Sequence, residues 1–256
     1  MVDFAAHLVS SLDNSIGALP DSCPDVLLYT SVLPLTSKDL CKAQRTILRQ
    51  HAVAIWNHCN VLLAIDRVKV PVRLAQLRAF AFLLLATVIP HNKKSHTKLF
   101  NKALVALKEC LQADLLELAS KILEYEATTH MITNEGLNPL QDQDKRTRSL
   151  EFSCLRMLLD HKRGRLDLAE SSFEAITNAL AGLDHDVVEK VIDLCFEIGS
   201  DCVLRGDHVR AVDWLGRAVG VLDHDDYAAC FAGSDLRMNV LHFYGNRPTK
   251  SALLHY

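Results

Sequence analysis

The sequence predicts an all-α chain in which antiparallel helical hairpins stack into an irregular superhelix. Three observations predict it. Apolar residues recur at three- and four-residue spacing along most of the chain. Only 10 glycines and 7 prolines punctuate 256 residues, and strictly alternating β-branched or aromatic runs are missing. A pattern of small residues and tight turns also returns along the second half. With 49% hydrophobic residues the chain can bury a continuous core, which excludes extended disorder.

The first helix is predicted over residues 2 to 12, where Val2, Phe4, Ala5, Leu8, Val9 and Leu12 form one apolar stripe. Gly17, Pro20 and Pro24 mark Asn14 to Pro24 as a loop, and the apolar piece Val26 to Leu33 fits a helix or a strand before Pro34 closes it. From Ser37, a capping residue type, Leu40, Ala43, Ile47, Leu48, Ala54, Ile55, Cys59, Leu62 and Leu63 predict a long helix to about Ile65. A second starts near Val70 with Pro71 in its first turn and ends at Pro90. It is apolar nearly all round, so it should pack on the preceding helix with a third layer above.

The polar link His91 to Lys94 leads to a helix over Leu99 to Leu111, and a partner helix over Leu115 to Thr128 follows a turn at Gln112 to Asp114. So short a turn forces an antiparallel hairpin. Thr129 to Asp144, with Asn134, Gly136, Asn138 and Pro139, reads as a long surface loop. Two further hairpins follow, and Ser234 to Tyr244 opens another helix.

In the last hairpin the pattern is diagnostic. Ile198, Gly199, Cys202, Gly206, Asp207, Ala211, Leu215 and Ala218 match the tetratricopeptide spacing: a large-small pair, a small residue, a Gly-Asp turn, then small, large, small. Gly199 and Ala211 are placed at a close helix crossing, Gly206 in the turn, and Leu215 with Trp214 in the groove between neighbouring hairpins. Gly164, Ala169 and Phe173 repeat the second half 42 residues earlier, with Ile176 in place of a small residue; Asp114, Ala119 and Leu123 repeat it a further 50 residues back. These periods exceed the 34 of the standard motif, hence the irregularity. Residues 1–35 form an N-terminal short helix and loop, 36–244 one helical-repeat domain, and 245–256 an irregular tail.

Catalytic and ligand chemistry finds no support. Neither Cys-x-x-Cys nor His-Glu-x-x-His is present, and the two acidic knots Asp184-His185-Asp186 and Asp223-His224-Asp225-Asp226 fall between helices, where aspartate caps. No nucleophile elbow and no glycine-rich phosphate loop occurs. We expect no enzyme activity, no metal, no cofactor and no small-molecule substrate. A net charge of −3 and short basic clusters at Lys93-Lys94, Lys145-Arg146-Arg148 and Lys162-Arg163-Arg165 imply no direct nucleic-acid binding. The apolar run Ala79 to Pro90 is shorter than the ~18 to 20 residues of a membrane span, and no basic leader opens the chain. The eight cysteines are expected as free thiols. Stacked hairpins offer a concave docking face, for which Glu197, Asp201 and Arg205 on first helices are candidate partner-binding residues.

Three segments resemble the fungal branch of the meiosis-specific synapsis and crossover scaffold family, the Zip-four or Spo-twenty-two group. They are Ala54-Ile55-Trp56-Asn57-His58-Cys59; Leu77-Arg78-Ala79-Phe80-Ala81-Phe82-Leu83-Leu84-Leu85; and Ala211 to Ala218 with Leu236-Arg237 downstream. The likeness covers roughly residues 36 to 244. It implies a nuclear scaffold on meiotic chromosomes, without catalysis, that joins crossover-promoting factors to synaptonemal complex proteins. Family members are longer, so the chain is expected to be a shortened or mispredicted piece of such a protein. The alternative is a helical-repeat adaptor in another multiprotein complex.

Overall fold

The computed structural model describes residues 1–14, 24–35, 40–65, 72–89, 93–133, 143–180, 185–224 and 228–231, with 235, 240 and 242. Among them there is no strand, and adjacent helices pack as an all-α helical-repeat arrangement. The chain divides into two compact units, Met1–Leu137 and Asn138–Tyr256.

The first unit contains α1 (Val2–Asn14), α2 (Pro24–Ser31), α3 (Lys42–Ile65), α4 (Val72–Val88), α5 (Lys93–Gln112) and α6 (Leu116–Thr133). The segment that fitted helix or strand is the helix α2. Helix α4 lies at the centre of the unit, with 14 of its 17 residues buried. Helices α2, α3, α5 and α6 all pack on it, which is the covering that its all-round apolar sequence predicts. Polar ties fix the layers: the Leu35 amide donates to Thr87 Oγ1 at 3.2 Å, and the Tyr125 hydroxyl donates to the Ala86 carbonyl at 3.1 Å. Lys121 Nζ donates to the Thr30 carbonyl at 3.1 Å and so closes the end of α2. Phe4 of α1 stacks on Tyr29 of α2 at 4.1 Å and meets the edge of Phe80 of α4 at 5.7 Å.

Several boundaries differ from the expectation, among them the start of α5, which lies at Lys93 instead of Leu99. The first turn of α3 begins at Lys42, with the Cys41 amide donating to Gln44 Oε1 at 2.9 Å, half of a capping box; Ser37 lies outside the described residues. Within α3 the buried stripe is Leu48, Ala52, Ile55, Trp56 and Cys59, whereas Ala43, Ile47 and Ala54 are exposed. The apolar residues of α3 mark two faces, and a count of spacings merges them. Of the predicted loop Thr129 to Asp144, the first five residues continue α6 through Thr133 and the last two open α7 at Gln143; the rest lies outside the described residues.

The second unit contains α7 (Gln143–Lys162), α8 (Leu166–Ala179), α9 (His185–Leu204), α10 (His208–Leu222) and the short α11 (Ala228–Phe231). Helices α7 and α8 form one hairpin, α9 and α10 the next, and α7 packs on α9. The helix expected over Ser234 to Tyr244 falls mostly outside the described residues.

The three hairpins α5–α6, α7–α8 and α9–α10 turn by one mechanism. Asp114, Gly164 and Gly206 hold positive φ angles of 57°, 73° and 76°. The following amide in each case reaches back five residues to a helix carbonyl: Leu115 to Cys110, Arg165 to Asp160 and Asp207 to Cys202, at 2.8 to 2.9 Å. The turn residue's own amide reaches back three residues, which completes a Schellman motif. Five positions after each turn residue stand Ala119, Ala169 and Ala211, all buried. Each donates its amide to the carbonyl of the residue just after the turn. The offsets of 50 and 42 residues read from the sequence are thus the spacings of one turn repeated three times. Helices α5, α7 and α9 each have 20 residues, so the difference in period lies after the turn.

Candidate interaction site

The site is the joint where α10 leans on the α7–α8 hairpin. Its geometry starts at Gly199 in α9. A Cβ there would lie 2.8 Å from Leu215 Cγ and 2.9 Å from Leu215 Cδ2, so only glycine lets α10 approach this closely. Leu215 therefore fills a notch inside its own hairpin. Trp214, one residue earlier and fully buried, points instead at the neighbouring hairpin. Its ring meets the edges of Phe173 in α8 at 6.0 Å and of His161 in α7 at 6.3 Å.

Ionic contacts surround this aromatic centre. Arg217, one turn after Trp214, lies 4.4 Å above the Trp214 ring and 5.4 Å above Phe173, and its guanidinium reaches Glu170 of α8 at 3.1 Å. On the other side His161 Nε2 lies 3.1 Å from Asp201 Oδ2, which also accepts from Arg205 Nε at 2.9 Å. Partial burial raises the Asp201 carboxyl, but the hydrogen bonds from His161 and Arg205 outweigh it and hold the group below its ordinary value. Asp207 caps α10 by accepting from the Arg210 amide at 3.2 Å.

The packing residues read from the sequence sit as follows. Gly164 and Gly206 are the turn residues, Ala169 and Ala211 are buried beneath the turns, Phe173 is half-buried against Trp214, and Ala218 is buried in α10. Of the partner-binding candidates, Glu197 and Arg205 are exposed, whereas Asp201 is half-buried and spans α7 and α9. His161, Glu170 and Arg217 were not singled out. Arg217 stands inside the third segment of family resemblance, but the partners that give it a role come from another hairpin.

The described cysteines are free, and five of the six are buried. Burial pushes the Cys59, Cys110 and Cys154 thiols up to about 12, far from a nucleophile's range. Among the described residues no three or more His, Cys, Asp or Glu side chains gather as a metal site, and no helix is long and apolar enough to cross a membrane. The arrangement holds helices in register.

This joint lies inside the stretch that a family model covers. Residues 159–247 match the family described as Meiosis protein SPO22/ZIP4 like. The match agrees with the resemblance over its third segment, Ala211 to Ala218, and takes in α8, α9 and the end of α7, where His161, Glu170 and Gly199 stand, while the segments Ala54 to Cys59 and Leu77 to Leu85 lie outside it. It points to a meiosis-related role. No curated protein and no solved structure matches the chain.

Proposed function

We propose that the chain is a non-enzymatic protein-interaction scaffold of meiotic recombination, acting on nuclear chromosomes to promote crossovers and synapsis. The observation that carries this reading is the coincidence of the SPO22/ZIP4-like match with the α7–α10 joint, where Trp214, Phe173, Arg217 and Glu170 dock one hairpin on the next. Surfaces built this way hold several proteins near one another, and each added contact raises the effective concentration of the rest. Its partners would be other crossover-promoting and synaptonemal complex proteins. Glu197 and Arg205, exposed on the first-helix side of the last hairpin, are candidate contacts.

Disruption of the gene, with crossovers counted among meiotic products, tests this directly. The expected outcome is a loss of crossovers with normal mitotic growth. Normal crossover numbers, or a growth defect in mitotic cells, would instead favour an adaptor in another complex.

A further inference from the structure

Ser149 is the one serine or threonine of the chain that follows an arginine by three residues. It stands in the run Lys145-Arg146-Thr147-Arg148-Ser149-Leu150, with cations one, three and four positions before it and an apolar residue after it. That is the charge pattern by which a basophilic protein kinase, whose substrate groove is lined with carboxylates, selects its serine. A motif so short also arises by chance, so its place in the fold decides whether it is usable.

Ser149 lies in the second turn of α7 and is exposed. Its hydroxyl makes no hydrogen bond among the described residues, whereas Ser11, Thr30, Thr46, Thr87, Ser153 and Thr177 each donate back to a carbonyl four residues earlier. Arg148 has no carboxylate against it among the described residues, and Glu151, the acid two positions after Ser149, is held by Lys190 at 3.3 Å. From Arg146 to Ser149 no side chain is buried, and Leu150 is the first buried group described in α7. The helix end that a kinase must draw out is therefore held by few contacts. Arg146, one turn before Ser149, donates to the Ala179 carbonyl at the end of α8 at 3.5 Å.

We propose that Ser149 is the acceptor site of a basophilic serine kinase, and that its phosphate takes Arg146 away from the end of α8. In the transfer the bond from Ser149 Oγ to the γ-phosphorus of ATP forms as the β–γ bridging bond breaks; ADP leaves, and the hydroxyl proton passes to a carboxylate of the kinase. The product carries a charge of about −1.5 to −2 and three acceptor oxygens. Set one helical turn from the Arg146 guanidinium, it outcompetes a neutral carbonyl at 3.5 Å. The site stands apart from the meiotic reading, since it needs only an arginine-directed kinase and an open serine.

The test is phosphorylation of the full chain by the catalytic subunit of cyclic-AMP-dependent protein kinase with ATP and magnesium, read by intact mass and peptide mapping. One phosphate per chain is expected, on Ser149. Ser149→Ala should abolish it, and Arg146→Ala should slow it about tenfold or more, as for the loss of a charge-assisted contact. Unchanged circular dichroism melts will show that the variants fold. A synthetic peptide of residues 142–153 is the control. Rapid modification of the peptide with none of the folded chain shows that α7 shields the serine and overturns the proposal. An unmodified peptide overturns it too, because the motif itself then fails, and so does phosphate on another residue in place of Ser149. Phosphorus NMR tests the second half: the phosphate should titrate below its ordinary value of about 6, and return towards it in Arg146→Ala modified to completion. The same ordinary value in both chains overturns the capture of Arg146.

Discussion

The two units solve the same problem, holding polar groups inside stacked helices, in opposite ways. In the first unit the ion pair is sealed in. Arg78 of the central helix α4 meets Glu109 of α5 at 2.8 Å and Asn60 of α3 at 3.1 Å, with Trp56 beneath its guanidinium at 5.0 Å and Lys102 over the same ring at 3.9 Å. In the second unit Arg217–Glu170 and Asp201–Arg205 lie toward the solvent edge, around an aromatic centre. A sealed pair resists exchange with water and depends on both partners. A peripheral pair tolerates the loss of one, because water replaces it.

The largest break should therefore come from the sealed pair. Arg78→Ala is expected to lower the unfolding free energy by ~3 to 5 kcal/mol, since it strands Glu109 in the core. Arg217→Ala should cost far less, and urea titrations of the two variants make the comparison. Equal losses would refute the contrast.

A pH series sharpens it. Burial pushes the Glu126 carboxyl of α6 up to about 7, so the folded chain holds this proton more tightly than the unfolded one. Its contribution is therefore fully present below the ordinary carboxylate range and is lost as pH rises through about 7. Unfolding free energy should decline over that window by on the order of 3 kcal/mol, and Glu126→Gln should flatten the slope. Asp201, held low, acts with the opposite sign and loses its contribution in acid.

Gly199→Ala comes next. The new methyl collides with Leu215 at the last crossing and should cost ~1 to 3 kcal/mol, with partial recovery in G199A/L215A. If thermal melts show no loss, α10 is not seated by that notch.

The smallest effect has opposite signs in the two units. A Cβ at Gly206 meets nothing within 4 Å, so Gly206→Ala tests the left-handed backbone alone and should cost about 1 kcal/mol. Asp114→Gly, at the same point of the first-unit hairpin, should gain several tenths to about 1 kcal/mol. Matching signs would show that the turns are not equivalent.

The repeat was legible because its defining features are local: a residue that accepts positive φ, and an alanine five positions later, recur at fixed offsets. The centre of the first unit was legible too, since a helix apolar on every side can only be enclosed. What escaped depends on distant partners. Arg78 reads as the charged edge of an apolar run until Glu109, far along the chain, is seen against it. Ile47 and Ala54 share helical spacing with Leu48 and Ile55 yet face outward, because spacing fixes a face only when the covering helix is known. At the joint, the small residues named the crossing, but the His161, Glu170 and Arg217 contacts join separate hairpins and leave no periodic trace.

The constant 20-residue first helix has a consequence for how such a chain can vary. Helix α6 has 18 residues and α8 has 14, and the segment after α6 is the longer one. Growth is accommodated downstream of each bend, while the rod before it, about 30 Å long, keeps one gauge. Extra residues spliced in beyond Leu180, which is buried and caps α8, should cost less than even one added between Gly199 and Gly206, which would rotate the end of α9 out of its seat.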